Sequence, residues 1–180
     1  MPLKFITQLN WVDILVLILI FRVCYISLRT GLVIEFFKLF GTLAAIYLSL
    51  HYYPAVSGMI KDIPGAKYIS FFALSAAGYA VFLILRIIFH RFIKMEAVPR
   101  LDRWGGLVLG IIRACLLTGW VLFVFLFYNQ PYLTKSVGSA YFGSRMSRVA
   151  PETYSWLWNS IISKFMVNEK FNKAAVEELK

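Results

Sequence analysis

Four long apolar runs constrain the fold of this chain more than any other feature of its sequence. They cover residues 11–28, 32–52, 68–90 and 105–128 of a chain of 180 residues. A hydrocarbon core ~30 Å thick is crossed by ~20 helical residues, and a helix satisfies its backbone amides where no water can. The sequence therefore predicts an all-α, polytopic membrane protein with four transmembrane helices in two hairpins.

The charge of the chain fits a membrane protein better than a nucleic-acid-binding protein. The formal net charge is +10, and 60% of the residues are hydrophobic. Many of the lysines and arginines stand beside the apolar runs, where anionic head groups and the requirements of orientation account for them. We expect the lipid bilayer to be the partner of these charges, and we expect no nucleic-acid partner.

The chain after residue 128 has a different composition. Residues 129–150 are rich in glycine and serine and predict an irregular linker between a membrane domain of residues 1–128 and the tail. Residues 151–180 predict an amphipathic helix that begins at Pro151, followed by a charged end. Its apolar stripe has helical spacing, with Tyr154, Leu157, Trp158, Ile161, Ile162 and Phe165. This helix either lies flat in the membrane interface, which we favour, or packs against a helix of a partner.

The distribution of basic residues predicts the orientation in the membrane. Their number near the helix ends is the same on both sides, but their density is not. Arg91, Lys94, Arg100 and Arg103 lie close together in the connection between the third and fourth helices. Because cytoplasmic loops carry an excess of Lys and Arg, we place the two short connections in the cytoplasm and both termini outside.

Ionisable residues within membrane helices are the first candidate functional residues, because each costs ~2.5–3.5 kcal/mol at a helix centre. Asp13 lies three residues after Asn10 and favours a capping box at the start of the first helix. Arg113 lies well inside the fourth helix. Its expected partner is Glu35, with Asp102 as the second choice, since all three belong to the predicted cytoplasmic half; the alternative is a set of separate, snorkelling charges.

A small-residue stripe lies next to Arg113. Gly106 and Gly110 form a GxxxG pattern that Ala114 extends, and such stripes allow another helix to approach closely. The pattern predicts a tightly packed seam, either within one chain or between two copies of it.

Several of these residues form patterns that are similar to those of a known family. Its N-terminal pattern is matched by Trp11-Val12-Asp13, then Gly31 and Glu35, then His51-Tyr52-Tyr53. The stretch from Leu101 through Asp102 to Gly106, continued by Gly110 and Arg113, resembles the most recognisable segment of the colicin V production (CvpA) family. The resemblance covers about residues 10–128. It implies a small bacterial inner-membrane protein tied to colicin V production or export.

The expected function is therefore an accessory role in toxin production or export, through membrane partners or homo-oligomers. A small oligomeric channel or transporter, with the membrane charges along its helix interface, is the alternative; a purely structural anchor is a third. His51 and His90 fall at opposite membrane interfaces, and no motif for catalysis or phosphate binding stands out. We expect no enzymatic activity, no cofactor and no metal.

Overall fold

Helices form the whole framework of the protein. The computed structural model describes residues 9–92, 99–166 and 169–173. Four long helices come first: α1 Trp11–Thr30, α2 Leu32–Met59, α3 Ala66–Phe92 and α4 Pro99–Phe127. Each is long and apolar enough to cross a membrane, which confirms the predicted all-α fold with four long helices that could span a membrane.

The tail folds into short helices instead of an irregular linker. They are α5 Pro131–Ser139, α6 Gly143–Met146, α7 Val149–Leu157, a π-helical turn Trp158–Ile162 and α8 Ser163–Phe165. The prediction for 129–150 was therefore wrong over α5, α6 and the start of α7. Glycine and serine are poor helix formers, but Pro131 suits a first helical turn, and Val137 is buried against the long helices. The charged end at 174–180 lies outside the described residues.

The second helix does not stop at residue 52, where its apolar run ends. It continues through Pro54 to Met59. Proline has no backbone N–H, so it leaves the carbonyl four residues earlier without a helical partner. Here that carbonyl belongs to Leu50, and the Nδ2 group of Asn172 donates to it at 2.7 Å. The tail thus satisfies the group that Pro54 leaves free.

The fourth helix begins at Pro99 rather than at residue 105. Proline is pre-organised for a first helical position, and Asp102 in the first turn suits the positive end of the helix dipole. Gly105, the first residue of the fourth apolar run, and Gly106 therefore lie inside the helix, where they pack close to Leu32 and Gly31, respectively.

The four long helices pack in the order α1, α4, α2, α3. Helix α4 lies between α1 and α2, and α2 lies between α4 and α3. The predicted hairpins pair helices that are consecutive in the chain, α1 with α2 and α3 with α4. Most of the helix packing instead joins α1 to α4 and α2 to α3. The main core contains Ile46, Leu50, Phe71, Phe123 and Tyr154. A second core forms where α1 and α4 meet the tail, with Val12, Val16, Leu122, Val137 and Ala140.

The apolar stripe of the tail divides into two parts. Tyr154 and Trp158 are buried, whereas Phe165 is 82% exposed. The π-helical turn at Trp158–Ile162 changes the helical spacing on which the predicted face depended. Helix α7 packs on α2 and α4, and it begins at Val149, two residues before Pro151.

Candidate functional site: a buried ion pair beside a glycine seam

Glu35 and Arg113 form an ion pair inside the protein. Glu35 lies in the first turn of α2 and is 0% exposed, and Arg113 on α4 is 5% exposed. Arg113 Nε lies 3.0 Å from Glu35 Oε2. The two groups are not aligned as a hydrogen bond, so the contact is mainly electrostatic. The structure therefore confirms the first of the two expected partners of Arg113.

Two further groups hold the other oxygen of Glu35. Lys38 Nζ lies 2.8 Å from Glu35 Oε1, and the hydroxyl of Thr30 donates to the same oxygen at 2.5 Å. One carboxylate thus serves two cations, one from its own helix and one from α4. Because an unpaired buried charge is costly, Glu35 connects the packing of α2 to that of α4.

The GxxxG stripe is used within the chain and brings α4 close to α1. A Cβ atom added to Gly106 would lie 2.9 Å from the carbonyl oxygen of Ser27 and 3.0 Å from the carbonyl carbon of Gly31. A Cβ atom on Gly110 would overlap the side chain of Ser27. The backbone neighbours of Gly106 cannot move aside as the end of a flexible side chain could. Of the two possibilities that the sequence left open, the structure has the seam inside one protomer.

Gly31 and Asp102 complete the seam at the turn between α1 and α2. Gly31 is the single residue between these helices, with φ of 80°, a value that side chains disfavour. Asp102 Oδ1 accepts from the backbone N–H of Leu32 at 2.8 Å, so a residue of α4 caps the start of α2. A Cβ atom on Gly31 would collide with the Asp102 carboxylate. Asp102 thus binds the turn, whereas Arg113 binds Glu35.

Asp13 lies at the opposite end of the long helices. The predicted capping box with Asn10 is present, and the Asp13 carboxylate accepts from the Asn10 backbone N–H at 3.0 Å. It also accepts from the backbone N–H groups of Tyr141 at 3.2 Å and Phe142 at 2.8 Å. Asp13 therefore joins the start of α1 to the segment that precedes α6.

Sequence reasoning missed a second cluster at that end, which we call the tail clasp: His51, Tyr52, Tyr154, Glu169 and Asn172. The ring nitrogens of His51 lie 2.9 Å from the Tyr154 hydroxyl and 2.8 Å from Glu169 Oε2. The Tyr52 hydroxyl donates to Glu169 Oε1 at 2.7 Å. Burial raises the pKa of Tyr154, and the nearby Glu169 carboxylate adds to this effect.

The tail clasp left little signal in the sequence. Its two parts, residues 51–52 and residues 154–172, lie more than 100 residues apart in the sequence, and the stretch 51–53 entered the sequence analysis only through the family resemblance. The predicted contrast between His51 and His90 cannot be tested, since the side chain of His90 lies outside the described residues. Within 9–92, 99–166 and 169–173, no group of three His, Cys, Asp or Glu residues is placed to hold a metal ion.

The candidate residues thus fall into two groups. Six meet at the seam end: Gly31, Glu35, Asp102, Gly106, Gly110 and Arg113. Asp13 is separate and lies at the tail end. All seven fall within residues 12–170, which match the family model described as colicin V production protein.

The chain belongs to the colicin V production protein family. The match extends beyond the resemblance seen at 10–128 and takes in the tail helices as well as Glu169 of the tail clasp. No curated protein and no solved structure shows a significant match to the chain.

Proposed function

We propose that this member of the colicin V production protein family is an accessory protein of the bacterial inner membrane, which supports colicin V production or export without catalysing a reaction. It acts through membrane partners or through other copies of itself. The observation that carries the proposal is the family match over residues 12–170.

The exposure of α3 supports a role that depends on partners. In the most apolar window of α3, 17% of the residues are buried, compared with 44% in α4. Helix α3 packs mainly on α2, and large apolar side chains cover its free side: Ile69, Phe72, Val81, Ile84, Ile87 and Ile88. This surface is suited to lipid chains or to a helix of another membrane protein.

A small oligomeric channel or transporter is the second candidate. A groove of about 310 Å³ lies between α2, α3 and α4, and Thr42, Ser75 and Tyr79 add hydroxyl groups to its lining. Several copies would be needed to enclose a pore around such grooves. The buried charges favour the accessory role, because Glu35 binds both Arg113 and Lys38 within one protomer. These three charged groups therefore pair with one another instead of lining an ion pathway.

The orientation is part of the proposal. The dense basic residues of 91–103, around the connection between α3 and α4, support a cytoplasmic position for that connection and for the Gly31 turn. Both termini then lie outside, and the exposed Ile161 and Phe165 would contact the outer leaflet.

The proposal is tested in a bacterial strain that produces colicin V and lacks its own family member. Toxin activity is measured separately in the medium and in the cells, which distinguishes export from production. The intact protein should restore toxin in the medium, and a Gly106→Val variant should not. Gly138→Ala is the matched control, since Gly138 has open space around it. Equal toxin levels with and without the protein would contradict an accessory role.

The channel alternative needs a separate measurement. The purified protein is reconstituted in liposomes, its oligomeric state is determined in mild detergent, and ion flux is recorded. Flux that rises with the oligomer and is lost in Ser75→Leu would replace the accessory role with a channel. A protein without flux leaves the accessory role in place.

A further inference from the structure

A polar cleft of about 560 Å³ lies where the end of α1 meets the start of α4. It is lined by Leu28, Arg29, Gly31, Asp102 and Arg103. Its volume is within the range of small-molecule sites. It belongs neither to the ion pair nor to the apolar groove beside α3.

The cleft lies at the depth of lipid head groups. Arg29 is in the last turn of α1, and Arg103 lies in the first turn of the candidate span Arg100–Phe127 of α4, so both arginines stand near the ends of spanning segments. Trp104 is 67% exposed next to the cleft, and the Arg29 guanidinium lies 4.4 Å from the centre of the Tyr25 ring. Exposed Trp and Tyr side chains are typical of the membrane interface.

The charges of the cleft favour an anion. Both arginines are exposed, and no carboxylate among the described residues forms an ion pair with either of them. The one acidic group, Asp102, accepts from the backbone N–H of Leu32. Two guanidinium groups and one carboxylate leave a formal charge of +1, and the N-terminus of α2 adds a partial positive charge.

The seam fixes the geometry of this cleft. Gly31 and Gly106 allow α4 to approach the turn closely, so the two guanidinium groups are carried by helices whose separation is set by backbone packing. Guanidinium groups bind phosphate oxygens in pairs of hydrogen bonds, and basic pockets between membrane helices bind anionic head groups. We propose that Arg29 and Arg103 bind a phosphate group, that of an anionic phospholipid at the membrane surface.

The test uses the full-length protein in neutral detergent and measures lipid binding by native mass spectrometry. Phosphatidylglycerol should bind with at least about tenfold higher affinity than phosphatidylcholine, and Arg29→Gln with Arg103→Gln should remove this preference. The matched control is Arg145→Gln with Arg148→Gln, which removes two exposed cations at the tail end and should change the affinity by less than about twofold.

Inorganic phosphate distinguishes the two sources of the anion. If the phosphate belongs to a lipid, millimolar inorganic phosphate should not displace phosphatidylglycerol. Displacement that depends on Arg29 and Arg103 would assign the cleft to a soluble phosphate instead.

Thermal unfolding shows whether the glutamine variant is folded. If it is not, Arg29→Lys with Arg103→Lys is used, which keeps the charge and should weaken binding by a smaller factor. Equal binding of both lipids, or equal losses in the seam-end and tail-end variants, would overturn the proposal. Because neither readout involves toxin, failure here is distinguishable from failure of the proposed function.

Discussion

At each end of the long helices, an aspartate carboxylate joins one helix to another element of the protein. At the seam end, Asp102 accepts from the backbone of Leu32 and joins α4 to the start of α2. At the tail end, Asp13 accepts from the backbone of Phe142 and joins α1 to the segment before α6. In each case a carboxylate in the first turn of one helix satisfies backbone donors of another element.

The ends differ in what brings their elements together. At the seam end, Gly106 brings the backbone of α4 against that of α1 and the turn, and Gly110 makes room for the side chain of Ser27. At the tail end, side chains bridge the gap, with Asn172 reaching Leu50 and Tyr154 reaching His51. We therefore expect the seam end to be sensitive to added volume and the tail end to the loss of hydrogen bonds.

Asp13→Ala should have the largest effect. It removes the acceptor of three backbone N–H groups, those of Asn10, Tyr141 and Phe142, and should lower the free energy of unfolding by about 3 kcal/mol. Hydrogen exchange should increase in α5 and α6. The control is Asp62→Ala, in the exposed turn between α2 and α3. Equal stability of the two variants would mean that Asp13 does not hold the tail.

Gly106→Ala tests the sensitivity of the seam end to volume. The new methyl group would lie about 3 Å from the backbone of α1 and the turn, and the variant should lose about 2 kcal/mol of stability. Gly138→Ala makes the same change in α5, where no atom of the described residues lies within 4 Å of the new group. It should be neutral or stabilising by about 0.5 kcal/mol. A similar loss of stability in both variants would contradict the greater sensitivity of the seam end to added volume.

Glu169→Gln tests the tail clasp. The change removes the charge beside His51 and weakens the acceptor for the Tyr52 hydroxyl. Since the Glu169 side chain is partly exposed, the cost should be about 1 kcal/mol. Proteolysis after residue 157 is a direct readout, with Glu152→Gln on the exposed side of α7 as control. Unchanged proteolysis in Glu169→Gln would contradict a stabilising role of the tail clasp.

The sequence predicted the features that depend on local spacing or on membrane depth. Asn10 and Asp13 are three residues apart, so their capping box was visible. Glu35 and Arg113 are distant in sequence, but both are costly in a membrane and fall at the same depth, and this was enough to pair them. The four apolar runs predicted the four helices that could span a membrane, because length and composition decide that property.

The other features of the fold and the site depend on tertiary contacts, which cannot be predicted from a local sequence pattern. The second apolar run ends at residue 52, and the structure continues the helix through Pro54 because Asn172, 122 residues from Leu50 along the chain, satisfies the Leu50 carbonyl. Helices α5 and α6 gain stability by packing against the ends of α1 and α4, which glycine-rich and serine-rich segments do not reveal. Asp102 was considered as a partner for Arg113, and its role as a cap for Leu32 became visible only in the structure.

The ion pair between Glu35 and Arg113 is the central feature of the seam end, and a double-mutant cycle tests it most directly. Glu35→Leu should destabilise the protein because it removes the carboxylate beside the buried Arg113, and Arg113→Leu should do so because it leaves Glu35 Oε2 without its cation. The double variant should cost less than the sum of the two, with a coupling of ~0.6 to ~1.7 kcal/mol in the free energy of unfolding. A cycle of Asp102→Asn with Arg113→Leu should show no comparable coupling. Strict additivity for Glu35 and Arg113 would contradict the account.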